Sequence, residues 1–301
     1  MCTSPSVAIK LGVRFSDGKN IIKLYRDSSK SLKDLYYIYG RDNVLLIPCG
    51  HCSECILKRR KEWAVRCACE AQSHPLNCFV TLTYDDEHLR ALNRQDPMRF
   101  IKALRNSGFK VRYYGCGELG SKTFRPHYHI ILFGYRPSDM KYLKTSISDE
   151  AIFTSDFLEK LWNKGHVAVQ EFGPGVAGYV AGYTAKKLGD QDGFQFQSTK
   201  PGIGYEYLLK HKDIALRYGQ LFDDFGHWKI ASLPRYFKKM LEKNGFGFYL
   251  DLLKEEKQRS VSSDMYHQAR LHGMTKIEDM VFYGEHFADK KLGKLERSFN
   301  G

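Results

Sequence analysis

Between Asn77 and Leu188 the apolar residues switch repeatedly between a period of two and a period of about 3.6, and that alternation is the tightest limit on how this chain can fold. The run CFVTLTY at 78–84 is rich in β-branched and aromatic residues, follows Pro75 and Asn77, and stops at Asp85 and Asp86, which predicts a strand. In PMRFIKALRN at 97–106, Phe100, Ile101 and Leu104 share one helical face before a stop at Gly108. KVRYYGCGE at 110–118 and RPHYHIILFG at 125–134 read as two strands joined by the turn LGSKTF. Residues 149–162 predict a helix, GHVAVQEF at 165–172 a strand, and VAGYVAGYTAKKL at 176–188 a second helix after the break at Gly173, Pro174 and Gly175. Strand, helix, strand, strand, helix, strand, helix is the order of a split βαβ layer. The expected class is therefore α+β, an antiparallel sheet with helices on one face.

The flanks are plainer. Ser6 to Phe15, Asn20 to Tyr25 and Asp34 to Tyr39 read as short strands, and the stretch from Cys52 to Gln72, free of Gly and Pro, as a long helix. After Gly189, DQDGFQFQSTKPGIG has the polar, Gly-rich character of a linker or surface loop, and mostly helical segments follow as far as the basic stretch Lys290 to Arg297. The 301 residues thus divide into an N-terminal Cys-containing extension (1–75), a core (76–190) and a mostly helical C-terminal extension (191–301).

Charge narrows the partner. Lys and Arg number 47 against 34 Asp and Glu, leaving +13, which favours a polyanion: nucleic acid or an acidic membrane surface. No stretch approaches the roughly 18 consecutive apolar residues of a membrane span, and the N-terminus lacks the apolar run of a signal peptide, so the expectation is an unexported protein without a membrane partner. The cysteines at 49, 52, 55, 67 and 69 crowd into one short region, which in a reducing cytoplasm points to thiols or a metal rather than to a disulfide framework.

His127 and His129 flank Tyr128 inside a strand, so both imidazoles point to one face and can reach a single ion. Glu118 ends the preceding strand, and a hairpin would bring its carboxylate near them. Two imidazoles and a carboxylate suit a divalent ion such as Mg, Mn or Zn and leave coordination positions open for substrate. The plainer alternative is a hydrogen-bonded pair of strand histidines and a solvated turn glutamate. Further on, Tyr179, Tyr183, Lys186 and Lys187 fall on one stripe at about 100° per residue. That stripe fits either an ordinary amphipathic helix or a phenol nucleophile with lysines beside it, since a phenol needs its proton removed before it can attack phosphorus.

Taken together, TLTY at 81–84, the HYH of RPHYHIILFG, and YVAGYTAKK at 179–187 resemble, in order, the three motifs of the HUH endonucleases. PCGHCSEC, EWAVRCACEA, NCFVTLTYDDEHL and GCGELGSKTFRPHYH extend the resemblance to the rolling-circle replication initiators of Microviridae, most closely the gokushovirus type. The resemblance implies a ferredoxin- or RRM-like core. It implies His127, His129 and Glu118 as ligands of Mg or Mn, and Tyr179 and Tyr183 as paired nucleophiles assisted by Lys187 or Lys186. The implied activity is nicking of single-stranded or origin DNA through a 5′-phosphotyrosine, leaving a 3′-OH for rolling-circle synthesis, and rejoining of the strand. It would run in the host bacterial cytoplasm with a host helicase and DNA polymerase as partners. The absence of a GxxxxGK[ST] loop accords with joining that needs no ATP.

Cys49, Cys52, Cys55, Cys67 and Cys69 could supply four thiolates to a structural zinc, or could simply be buried thiols. Lys58, Arg59, Arg60 and Lys61, with Arg125, are candidates to track phosphates, the alternative being a solvated face. Two rival functions remain open on the sequence. One is a non-catalytic nucleic-acid module that stacks bases on Tyr113, Tyr114 and Tyr128; the other is a hydrolytic metallonuclease that activates water.

Overall fold

A seven-stranded antiparallel sheet organises the larger part of the computed structural model, which describes residues 2, 4–13, 20–26, 30–120, 124–146, 149–173, 193–218, 221 and 233–253. The chain divides into two compact units, one reaching Leu57 and the other beginning at Lys58. In the first, β1 (Ser6–Val13) pairs with β2 (Asn20–Tyr25) and with β3 (Val44–Ile47), and α1 (Leu32–Tyr39) lies between β2 and β3 in sequence. The strand expected over 34–39 is thus a helix. Ser31 and Asp34 form a capping box, with the Asp34 N–H donating to Ser31 Oγ at 3.3 Å and the Ser31 N–H to Asp34 Oδ2 at 2.8 Å; this starts a helix where the apolar pattern alone suggested a strand.

The second unit follows α2 (Ser53–Gln72) with β4 (Asn77–Tyr84), α3 (Gln95–Asn106), β5 (Arg112–Leu119), β6 (Pro126–Phe133), β7 (Met140–Thr145), β8 (Ala151–Ser155), α4 (Asp156–Trp162), β9 (Gly165–Glu171) and β10 (Phe194–Gln197). Last among the described residues come the short helices α5 (Tyr205–Lys210), α6 (Lys212–Tyr218) and α7 (Arg235–Lys243). The strand order is β10-β5-β6-β4-β9-β8-β7, so β6 lies between β4 and β5 and antiparallel to both, which is the split βαβ arrangement expected of the α+β class.

Two expectations need correction. Residues 149–162 do not form one helix: 151–155 pair as β8, and the Ser155 hydroxyl then accepts the Leu158 N–H at 3.2 Å to cap α4. The segment after Gly189 is not only a linker, because Phe194 and Phe196 sit in β10 opposite Gly117 and Gly115 of β5. A Cβ at Gly117 would meet the Phe194 ring at 2.8 Å and one at Gly115 the Phe196 ring at 2.9 Å, so the two glycines make room for the two rings.

Helices cover both faces of the sheet rather than one. Alternate residues Val80, Leu82, Tyr84, Tyr128, Ile130, Leu132, Val167 and Val169 form the core with Phe100, Ile101 and Leu104 of α3 and Leu158 and Trp162 of α4. On the opposite face, Trp63, Cys67 and Ala71 of α2 pack on Phe79, Tyr114, Ile131 and Phe133, with the Trp63 and Tyr114 rings stacked at 4.5 Å.

Glu70 fastens α2 to the sheet. Its side chain, 4% exposed, accepts hydrogen bonds from Arg112 Nε on β5, from the Gly204 N–H at 2.6 Å, and pairs with His74 Nε2 at 3.4 Å. Burial alone would raise this carboxyl, but the hydrogen bonds from His74, Arg112 and Gly204 outweigh it and hold the group below its ordinary value. Stability from Glu70 is therefore present above its unfolded pKa of about 4.3 and is lost as pH falls through the lower folded value. Glu70→Gln should lower unfolding free energy at neutral pH by about 1–3 kcal/mol in urea titrations, with the gap closing in acid. A gap independent of pH would show that the charge contributes nothing.

Candidate functional site

β6 places the two histidines. Its alternation sends Tyr128 into the core and leaves His127 and His129 on the other face, with Glu118 of β5 directly opposite His127 and Cys116 opposite His129. On the other flank β4 sets Thr83 opposite His127 and Thr81 opposite His129. The threonine hydroxyls lie at the inner ring nitrogens: Thr83 Oγ1 is 2.9 Å from His127 Nδ1 and Thr81 Oγ1 3.1 Å from His129 Nδ1. That contact fixes each ring and directs Nε2 the other way, toward Glu118 in the case of His129, where Nε2 and Oε1 are 3.3 Å apart. The ring centroids are 6.3 Å apart. Gly120 closes the turn after β5, and a Cβ there would come within 3.0 Å of His127 Nε2, so the missing side chain leaves that nitrogen room.

Glu118 is 6% exposed, and its Oε2 is buried without a hydrogen-bond partner. A buried carboxylate oxygen without a partner costs about 1–3 kcal/mol, and a divalent cation is the partner that such an oxygen beside two imidazoles fits. The donor set of two nitrogens and a carboxylate is thus suited to a Mg- or Mn-type ion with open positions. It is looser than the thiol cluster of the other unit, where all four sulfurs lie within 4.8 Å of one another.

Behind the strand, the Tyr128 hydroxyl is 2.8 Å from the Tyr84 hydroxyl and accepts the Asn93 N–H at 2.9 Å, while Tyr84 donates to Asp96 at 2.6 Å. Arg90 and Arg99 each approach the buried Asp96 carboxylate at 3.2 Å, and Trp162 Nε1 donates to the Thr83 carbonyl at 3.1 Å. Burial raises the Tyr128 phenol, and burial together with the Asp96 and Tyr128 contacts raises Tyr84, so neither is suited to be a phenolate nucleophile.

Tyr179, Tyr183, Lys186 and Lys187 lie outside the described residues. Arg125 is half-buried, its guanidinium donating to the Tyr84 carbonyl at 2.8 Å and to Asp86 at 2.5 Å, so it braces the turn ahead of β6. On α2, Lys58 and Lys61 are exposed or half-exposed at the start of the helix, and Arg59 and Arg60 are half-buried. The base-stacking platform is overturned: Tyr113, Tyr114 and Tyr128 are all core residues, the last two fully covered. Cys67 and Cys69 are also displaced from their expected role, being packed in apolar clusters where burial pushes both thiols up. Cys49, Cys52 and Cys55 do come together, and the fourth thiol is Cys2, in a cluster compatible with a structural metal. Sequence reasoning also missed the roles of Thr81 and Thr83, although their period-two spacing within TLTY matches that of the histidines.

An α+β sheet with paired imidazoles and a buried carboxylate on one face defines a protein equipped to hold a divalent ion beside an anionic substrate. The comparisons then give the family. The family described as replication-associated protein ORF2 matches residues 77–188, a span that holds the whole site and the segment with Tyr179, Tyr183, Lys186 and Lys187. The chain is 33% identical to replication-associated protein ORF2 of Spiroplasma virus 4 over 73% of its own length and 75% of that protein. It is 35% identical to replication-associated protein VP4 of Bdellovibrio phage phiMH2K, over 65% of this chain and 68% of that one. To replication-associated protein ORF4 of Chlamydia phage 1 it is 34% identical, over 65% and 54%. The chain therefore belongs to this family of phage replication-associated proteins. No solved structure matches it.

Replacing Thr83 by Val keeps the branched shape and removes the hydroxyl at His127 Nδ1. Mn binding measured by isothermal titration should weaken by about 10–100-fold while the melting temperature changes little. Unchanged affinity would mean that the threonine does not orient the ring.

Proposed function

We propose that this protein is the replication initiator of a single-stranded DNA phage, a nicking and rejoining strand transferase that uses tyrosine as nucleophile. The observation that carries the proposal is the His127, His129 and Glu118 set with its unpartnered buried carboxylate oxygen, inside a span matched to a replication-associated family. Those three residues would hold Mg or Mn, which when bound would polarise the scissile phosphodiester and offset charge gathering on its oxygens.

The nucleophile is Tyr179 or Tyr183, assigned on the motif resemblance. Its hydroxyl gives up a proton, the oxygen attacks phosphorus, and the bond from phosphorus to the 3′ oxygen breaks, leaving a 3′-OH and a 5′-phosphotyrosine. Lys187 or Lys186 would stabilise the phenolate or the phosphate. Rejoining reverses the exchange: a 3′-OH attacks the phosphotyrosine and the tyrosine leaves, so no nucleotide is consumed. With two tyrosines, the second can cut after a round of synthesis while the first still carries its strand. Lys58, Arg59, Arg60 and Lys61 would track the phosphate backbone, and Arg125 would act by bracing the turn that leads to His127. The host bacterial cytoplasm would supply helicase and polymerase.

The test is a labelled single-stranded origin oligonucleotide incubated with the full chain and Mn. A denaturation-resistant adduct is expected, absent from the double variant Tyr179→Phe with Tyr183→Phe, which should still bind the DNA. Ala at both His127 and His129 should abolish metal-stimulated cleavage. Cleavage without any adduct would replace tyrosine with an activated water, and binding without cleavage would leave a non-catalytic module. Binding should also weaken steeply with salt, as expected when Lys and Arg displace counterions.

A further inference from the structure

We propose that Cys2, Cys49, Cys52 and Cys55 form a mononuclear four-thiolate zinc site that holds the N-terminal unit together. β1 and β3 create it: Ser6 pairs with Ile47, so the chain ahead of β1 runs beside the chain beyond β3 and brings Cys2 to Cys49. Gly50, with φ +84°, turns the backbone after Cys49 so that the N–H groups of His51 and Cys52 point back at Cys49 Sγ, at 3.4 and 3.3 Å. The Cys49 N–H in turn donates to Cys2 Sγ at 3.2 Å. Backbone donors aimed at sulfur favour thiolate over thiol.

The spacing fits one ion. A tetrahedron with Zn–S bonds of about 2.3 Å has S···S edges of about 3.8 Å. Cys2 Sγ and Cys52 Sγ are 3.8 Å apart, and all four sulfurs lie within 4.8 Å of one another. None of these cysteines is in a disulfide.

The contrast with the other cysteines excludes the bland explanation. Cys67, Cys69, Cys78 and Cys116 are buried and behave as small apolar residues, whereas Cys2, Cys49, Cys52 and Cys55 are partly exposed and gather on one another instead. The first unit also needs a fastening. Its buried apolar residues among the described ones are Ala8, Ile9, Leu35 and Val44, while Leu11, Val13, Ile21, Ile22 and Leu24 are exposed. So small a core is the setting in which a structural metal supplies folding energy.

The test is elemental analysis of the full chain purified from zinc-replete cells. About one zinc per chain is expected, lost in Cys2→Ser and Cys52→Ser and kept in Cys67→Ala and in the His127, His129 double Ala variant. The His variant separates this site from the proposed nuclease centre, so failure of either reading is distinguishable from failure of the other. Should Cys2→Ser not fold, cobalt added to the zinc-free wild-type chain serves instead. A thiolate-to-cobalt charge-transfer band with tetrahedral d–d bands is the expected result. Wild-type protein without zinc, with iron in its place, or with zinc retained in Cys2→Ser would overturn the assignment, as would cobalt spectra lacking sulfur bands.

Discussion

The buried hydroxyl pair of Tyr84 and Tyr128, closed by Asp96, is the interaction on which the rest of the candidate site depends. A strand offers its side chains to two faces in strict alternation, so pinning Tyr128 in the core at 2.8 Å from Tyr84 forces both of its neighbours to the opposite face. Asp96 brings α3 into the same network and draws Arg90 and Arg99 onto it, so sheet, helix and preceding loop share one buried polar node. A slip of β6 by one residue would bury two imidazoles and expose the tyrosine. The polar node makes that slip costly because it would leave Asp96 and Tyr84 without their partners, on the order of 1–3 kcal/mol for each buried group.

The second constraint is how the opposite face is shared. α2 covers only the end carrying Phe79, Tyr114, Ile131 and Phe133. Farther along the same strands the side chains become Thr81, Thr83, His127, His129 and Glu118, with His166 of β9 opposite Thr83. One strand face therefore changes from apolar to polar within four residues. The Phe79 ring marks the boundary, stacked on His129 at 5.8 Å. An imidazole with an aromatic wall on one side, a threonine at Nδ1 and a carboxylate at Nε2 has few orientations left, which is what pre-organised ion binding requires.

Much of this was legible in the sequence. The period-two runs of β4, β6 and β9 and the periodic face of α3 specify strands and helix through burial, which is the property that sequence pattern reports. The hairpin of β5 and β6 followed from their adjacency, and with it the approach of Glu118 to the histidines. What was not legible depended on pairing between distant segments or on local hydrogen bonds. Cys2 lies 47 residues from Cys49 and reaches it only through the β1–β3 register, whereas Cys67 and Cys69 look closer in sequence yet are carried away on the helix. The helix at 32–39 is fixed by one capping box, and β10 by two glycines that accommodate two phenylalanines, neither of which a hydrophobic count detects.

Glu118 remains the least economical feature of the sheet. A carboxylate 6% exposed, with one oxygen near His129 and the other without a partner, is a place where an apolar residue would serve stability better. Glu70 is the informative comparison, being equally buried but satisfied on both oxygens by Arg112, His74 and the Gly204 N–H, so its role is structural. The two glutamates differ in what surrounds them rather than in burial. Cations and N–H donors from the chain itself complete Glu70, whereas Glu118 faces imidazoles that are already held at Nδ1 by threonines. A site completed from within gains nothing by binding an ion, while one left short of a positive partner is stabilised by whatever divalent ion enters it. The cost to the apo fold and the capacity to bind thus have the same physical origin, the unmatched charge at Glu118.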